Sequence, residues 1–83
     1  MTKLLVDGRT YEIVRIPLPS WDDYEVFFEG RSIGRVHVLA VGDGSQHRRY
    51  TVEGEAGVES IARAAIAAGI ILVERSTDVG TTT

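Results

Sequence analysis

The sequence predicts a small α+β domain: an antiparallel sheet of about five to six strands with one α-helix packed on one face. Short stretches of alternating apolar and polar residues fill the first two thirds of the chain, glycine-containing turns separate them, and one segment of helical periodicity follows. With 83 residues, of which 43% are hydrophobic and 25% charged, the chain suits a single domain. We expect this domain over residues 1–75 and a flexible tail over 76–83.

The first predicted element is an N-terminal β-hairpin over Leu4 to Ile16, folded at Asp7-Gly8. An Asp-Gly dipeptide readily takes the positive φ angles of a tight hairpin turn. Pro17 to Ser20 then forms a connector, because proline lacks the backbone N–H that a central strand must donate. Trp21 follows this connector, and we expect it to pack in the core or at its rim, with partner contact as the alternative.

A three-stranded meander is predicted next. Its strands alternate apolar and polar residues over 24–29, 35–40 and 49–53, with turns at Gly30 and at Gly42 to Ser45. Residues 6–11 and 28–33 share the order apolar, acid, glycine, arginine, hydroxyl, apolar. We interpret this order as the same turn chemistry used twice.

One segment has helical periodicity and a short apolar run follows it. Apolar residues recur at helical spacing from Val58 to Ile66, which predicts a helix of about three turns that Gly69 ends in the left-handed conformation. The run Ile70 to Val73 is rich in β-branched residues and predicts a short buried C-terminal strand.

Pairing within the meander decides which side chains share a face. Placing Val26 opposite Val36 and Val38 opposite Tyr50 puts the apolar positions on one inner face. On the other, outer face, the predicted neighbours are Phe27 with Arg35, Arg35 with Glu53, Glu25 with His37, and His37 with Thr51.

The predicted outer face has the composition of an interaction surface. An aromatic anchor with arginines inside a polar rim is typical of protein interfaces. We therefore predict a non-enzymatic protein–protein interaction module, such as an inhibitor, accessory subunit or adaptor, that binds through this face or an edge strand. The predicted contact residues are Phe27, Arg35, His37, Leu39 and Arg49. Two alternatives stay open: Phe27 simply covers the stem of Arg35, or the C-terminal strand or a second copy covers the face, which would make a homodimer.

The charge distribution suggests an alternative function. The formal net charge is −3, but the hairpin 31–49 carries four arginines against one aspartate. Arginine forks suit phosphate oxygens, so this hairpin could bind nucleic acid through Arg31, Arg35, Arg48 and Arg49. The acidic balance of the whole chain favours a protein partner over this alternative.

Three resemblances are architectural. The order of strands and helix over residues 24–68 resembles double-stranded-RNA-binding domains and the arm-binding domains of tyrosine recombinases. The former carry lysines at the helix start, where this chain has Gly57-Val58-Glu59-Ser60. The chain is also similar to small acidic α+β proteins of phages and mobile elements, including inhibitors of bacterial defence systems. No motif identifies any of these families, and we assign none.

The residue types favour neither an enzyme nor a metalloprotein. The chain has no cysteine and only two histidines, so we expect no metal and no cofactor. One combination resembles the arrangement of a nucleophilic enzyme, with His37 as the base, Glu25 as its orienting carboxylate and Thr51 as the hydroxyl. An open sheet face, however, does not exclude water or form an oxyanion hole. The absence of cysteine and of a long apolar segment leads us to expect a cytoplasmic protein with no membrane partner.

Overall fold

The computed structural model describes residues 1–41 and 47–73 and consists of a five-stranded antiparallel sheet with one α-helix. The elements are β1 (Thr2–Val6), β2 (Arg9–Pro17), β3 (Trp21–Phe28), β4 (Arg31–Val41), β5 (His47–Gly54) and α1 (Val58–Ala67). The strands lie side by side in chain order. The predicted α+β class, with an antiparallel sheet and one helix, is thereby confirmed. The predicted loop at Gly42 to Ser45 and the predicted tail 76–83 lie outside the described residues.

Two tight turns of the same type fold the first four strands. Asp7 and Gly8 have φ angles of 52° and 78°, and Glu29 and Gly30 have 54° and 79°. Two successive positive φ angles define the turn whose twist matches that of the flanking strands. The interpretation that one turn chemistry is used twice is confirmed.

The predicted register between β3 and β4 was wrong. Val26 lies opposite Gly34 rather than Val36, and the register shifts between Val26 and Phe27. The physical reason is the two-residue turn, which pairs Phe28 with Arg31 and draws β4 back along β3. A bulge then adds one residue, Ile33, which has no partner on β3 and shifts the pairing by one position. Ile33 joins the hydrophobic core, with 8% of its surface exposed.

The register between β4 and β5 agrees with the prediction, since Val38 lies opposite Tyr50. At the other end of this pair Gly34 lies opposite Gly54. A Cβ on Gly34 would lie 2.7 Å from Cγ2 of Val58, and one on Gly54 would lie 2.4 Å from the Cα of Gly34. The glycine pair therefore lets the two strands and the first turn of α1 approach closely.

The hydrophobic core joins the sheet and the helix. Its buried residues are Ile13, Tyr24, Val26, Ile33, Val36, Val38, Val58, Ile61, Ala62, Ala65 and Ile71. We call the sheet face that carries Ile13, Val26 and Val36 the inner face, and the opposite one the outer face. In the part of the chain that the structure describes, no helix has the length and apolar character needed to cross a membrane.

The end of α1 explains why the expected C-terminal strand does not form over residues 70–73, which are irregular in the structure. Gly69, with a φ of 81°, donates its N–H to Ile66, and the N–H groups of Ile70 and Ile71 both donate to the carbonyl of Ala65. This is a Schellman motif, and it uses the amides that a further strand would need. Gly69 thus ends the helix as predicted.

Candidate interaction surface

The outer face is built from cross-strand rows of side chains. One row, which we call the Trp21 row, joins Trp21 on β3, Leu39 on β4 and Arg49 on β5. The next rows along the strands hold the groups of the charge cluster: Asp23, Glu25, Arg35, His37 and Glu53. Because side chains alternate along a strand, all five predicted contact residues, Phe27, Arg35, His37, Leu39 and Arg49, occupy outer-face positions.

The Trp21 row presents apolar and cationic groups to solvent. Trp21 is 41% exposed and Leu39 is 39% exposed, and Arg49 is also exposed. The carbonyl of Trp21 accepts a 3.0 Å hydrogen bond from the N–H of Leu18, which anchors the proline connector to the start of β3. Trp21 belongs neither to the core cluster nor to the partly buried residues packed against it, and it lies opposite Leu39.

Phe27 does not lie where the predicted register placed it. It pairs with Glu12 on β2 and with Ser32 on β4, so it does not cover Arg35. Arg35 lies opposite Glu25 instead, as the bulge at Ile33 requires. A cation–π contact does form elsewhere, with the guanidinium carbon of Arg9 6.0 Å from the ring centre of Phe28.

The charge cluster is centred on a buried carboxylate. Asp23 is only 3% exposed, although it belongs to the outer face. Arg35 lies between two acids, with Nη1 3.5 Å from Oδ2 of Asp23 and Nη2 3.5 Å from Oε1 of Glu25. The Ser32 hydroxyl donates a 2.6 Å hydrogen bond to Glu25. These bonds connect β3 to β4 on the outer face.

His37 continues the cluster towards β5. Its Nδ1 is 2.9 Å from Oδ1 of Asp23, and its Nε2 is 2.6 Å from Oε1 of Glu53. The hydrogen bond to Glu53 raises the pKa of the His37 imidazole above its ordinary value, Asp23 acts in the same direction, and burial of the ring opposes both. His37 lies beside Thr51, as predicted. The prediction that Glu25 is its neighbour on β3 was wrong, because Asp23 lies opposite His37.

The structure changes one arrangement considered from the sequence, because Glu25 is not the carboxylate that contacts His37. Glu25 bonds to Ser32 and Arg35 and not to His37, so the base-and-carboxylate arrangement considered from the sequence does not form. Within residues 1–41 and 47–73, no group of three or more histidine, aspartate or glutamate side chains could hold a metal ion.

The four arginines of hairpin 31–49 do not share a face. Arg35 and Arg49 occupy outer-face positions, whereas Arg31 and Arg48 alternate to the other side. Arg31 donates a 2.7 Å hydrogen bond to Glu55, and this contact raises the pKa of its guanidinium. Arg35 also bonds to acids, so Arg31 and Arg35 both have carboxylate partners among the residues that the structure describes.

Sequence reasoning did not identify Asp23 as a site residue. The available signal was the likeness of Glu29-Gly30 to Asp7-Gly8: a two-residue turn at both places would have put Phe28 opposite Arg31 and drawn β4 back along β3.

Comparison with known protein families, curated proteins and solved structures finds no match.

Proposed function

We propose that this protein is a non-enzymatic interaction module whose outer sheet face binds a protein partner. The observation that carries the proposal is the Trp21 row, in which an exposed tryptophan, leucine and arginine stand side by side on three strands. Tryptophan and arginine are enriched among the residues that dominate binding energy at protein interfaces. Leu39 between them supplies apolar area of the kind that such anchors bury.

The surroundings of the row suit a binding surface. The charge cluster lies directly beside it and forms a polar border on one side of the apolar residues. Hydrogen bonds within the cluster link β3, β4 and β5, so the strands that carry the row are held together before a partner binds. The proposal includes α1 packing on the inner face, which is supported by the helix residues Val58, Ile61, Ala62 and Ala65 in the core cluster.

The experiment is affinity capture from a lysate of the native host with the tagged full chain, with and without nuclease. A double variant, Leu39→Ala with Arg49→Ala, is compared with a matched control, Leu72→Ala with Arg63→Ala. Each pair removes one exposed leucine and one exposed arginine, but the control residues lie outside the sheet. Trp21→Ala is captured in parallel.

We expect a protein that survives nuclease treatment to be retained by the wild type and the control and lost from the outer-face variants. Retention of that protein by all variants would contradict the proposal. Loss of all captured material with nuclease would support the arginine hairpin as a nucleic-acid site instead, because such binding depends on phosphate.

A further inference from the structure

The His37 ring touches one carboxylate with each of its nitrogens. Nδ1 faces Asp23 on β3 at 2.9 Å, and Nε2 faces Glu53 on β5 at 2.6 Å. An ionised carboxylate can accept hydrogen bonds but cannot donate one, and a neutral imidazole has a single N–H. Both contacts can therefore be hydrogen bonds only when the ring carries two protons and a positive charge.

The charged groups around the ring come from three strands. Asp23 and Glu25 lie on β3, Arg35 lies on β4 beside the ring, and Glu53 and Arg49 lie on β5. Arg35 is held by Asp23 and Glu25, so its charge is directed at β3. Towards β5, Arg35 lies opposite Glu53 in the register, and Nε2 of His37 contacts the carboxylate of Glu53.

We propose that His37 is a proton-operated clamp on the outer face: as an imidazolium it ties β3 to β5 across β4, and loss of one proton to water releases Glu53. The two contacts differ in what their loss would cost. Asp23 is 3% exposed, whereas the side chain of Glu53 is 71% exposed. A buried carboxylate without a donor is far costlier than an exposed one, which water solvates. The neutral ring therefore keeps its N–H on Nδ1, towards Asp23.

Opening the clamp changes the surface in two ways. The outer face becomes more negative by one charge next to the Trp21 row, and β5 loses a side-chain link to β3. The clamp itself does not depend on the proposed function. Its effect on a bound partner does rest on that function, because the Trp21 row would then bind next to the altered charge.

The sign of the stability effect follows from the raised pKa. The contribution of the clamp is complete below the pKa of histidine in the unfolded chain and is lost as the pH rises through the higher pKa of the folded chain. The contribution of His37 to the free energy of unfolding is therefore expected to be larger in mildly acidic than in mildly alkaline solution.

The experiment follows the ring nitrogens of the full chain by two-dimensional 15N NMR between about pH 5.5 and pH 9, above the ordinary range of carboxyl groups. His47→Gln identifies the His37 signals. Glu53→Gln removes the exposed end of the clamp, and Glu12→Gln is the matched control, since Glu12 is an acid at an outer-face position paired with Phe27. Urea unfolding is measured over the same pH range for the wild type and for His37→Gln.

We expect the pKa of His37 to lie above that of free histidine, to fall towards it in Glu53→Gln and to stay unchanged in Glu12→Gln. We also expect the stability of the wild type to fall as the pH rises through this pKa, with a flatter profile in His37→Gln. A pKa of His37 at or below that of free histidine, or one that Glu53→Gln leaves unchanged, would overturn the clamp. None of these measurements needs a partner, so they fail or succeed separately from the proposed function.

Discussion

The inner and outer faces of the sheet use the same strands for different purposes. On the inner face, Ile13, Val26 and Val36 are at most 2% exposed and belong to one cluster with helix residues. On the outer face, Trp21 and Leu39 are exposed, and the carboxylate Asp23 is buried. Burial of apolar area dominates folding stability. The comparison therefore assigns stability mainly to the inner face, and the outer face is the one that we propose to bind a partner.

The largest effect is expected where the strands approach most closely beneath the helix. Gly54→Ala would put a Cβ 2.4 Å from the Cα of Gly34 at a φ of 127°, whereas Gly8→Ala has a φ of 78° and meets nothing within 4 Å. We expect Gly54→Ala to cost more than about 3 kcal/mol of unfolding free energy and Gly8→Ala about 1 to 2 kcal/mol. Urea unfolding measures both. Equal losses would show that the close approach does not matter.

The second prediction compares one substitution on both faces of β2. Ile13 is 2% exposed on the inner face, whereas Ile16 is partly exposed at the outer-face position opposite Asp23. We expect Ile13→Ala to lower the free energy of unfolding by about 2 to 5 kcal/mol through the cavity it leaves, and Ile16→Ala by about 1 kcal/mol. If Ile16→Ala were as costly, the outer face would be a second core.

The third prediction concerns the carboxylate at the centre of the charge cluster. Asp23→Ala leaves the N–H groups of His37 and Arg35 without this acceptor. We expect a loss of about 1 to 3 kcal/mol in urea unfolding. Glu12→Ala, which removes an outer-face acid outside the cluster, serves as the control and should change stability by less than about 0.5 kcal/mol. Similar losses in both variants would show that Asp23 does not organise this face.

The smallest effects are expected in the Trp21 row itself. Leu39→Ala and Arg49→Ala remove exposed side chains, and each should change the free energy of unfolding by less than about 0.5 kcal/mol. Thermal and urea unfolding measure this directly. A loss above about 2 kcal/mol in either variant would mean that the row supports the fold, which would weaken its assignment as a binding surface.

Local patterns allowed much of the fold to be predicted. Alternation along β3, β4 and β5 correctly separated the two faces, and Asp7-Gly8 and Gly69 were correctly assigned to positive φ angles. These features depend on residues close together in the chain, where propensity and periodicity act directly. For the same reason the predicted contact residues all lie at outer-face positions.

The errors arose where a turn or a helix end, and not alternation, decides the outcome. The register of β3 and β4 follows from the two-residue turn at Glu29-Gly30 together with the bulge at Ile33. The strand predicted over Ile70 to Val73 does not form because the end of the helix uses the amides of Ile70 and Ile71. The shifted register hid Asp23, whose role appears only once β3 and β4 are aligned. Alternation identifies a face, but a register shift changes which residues meet on it.

The most direct test of the outer face as a binding surface is a calorimetric titration with the purified captured protein. The wild type is compared with the double variant Leu39→Ala/Arg49→Ala and with the control Leu72→Ala/Arg63→Ala. The account predicts that the double variant weakens binding by about tenfold or more, while the control binds like the wild type. Equal dissociation constants for all three folded proteins would contradict the account.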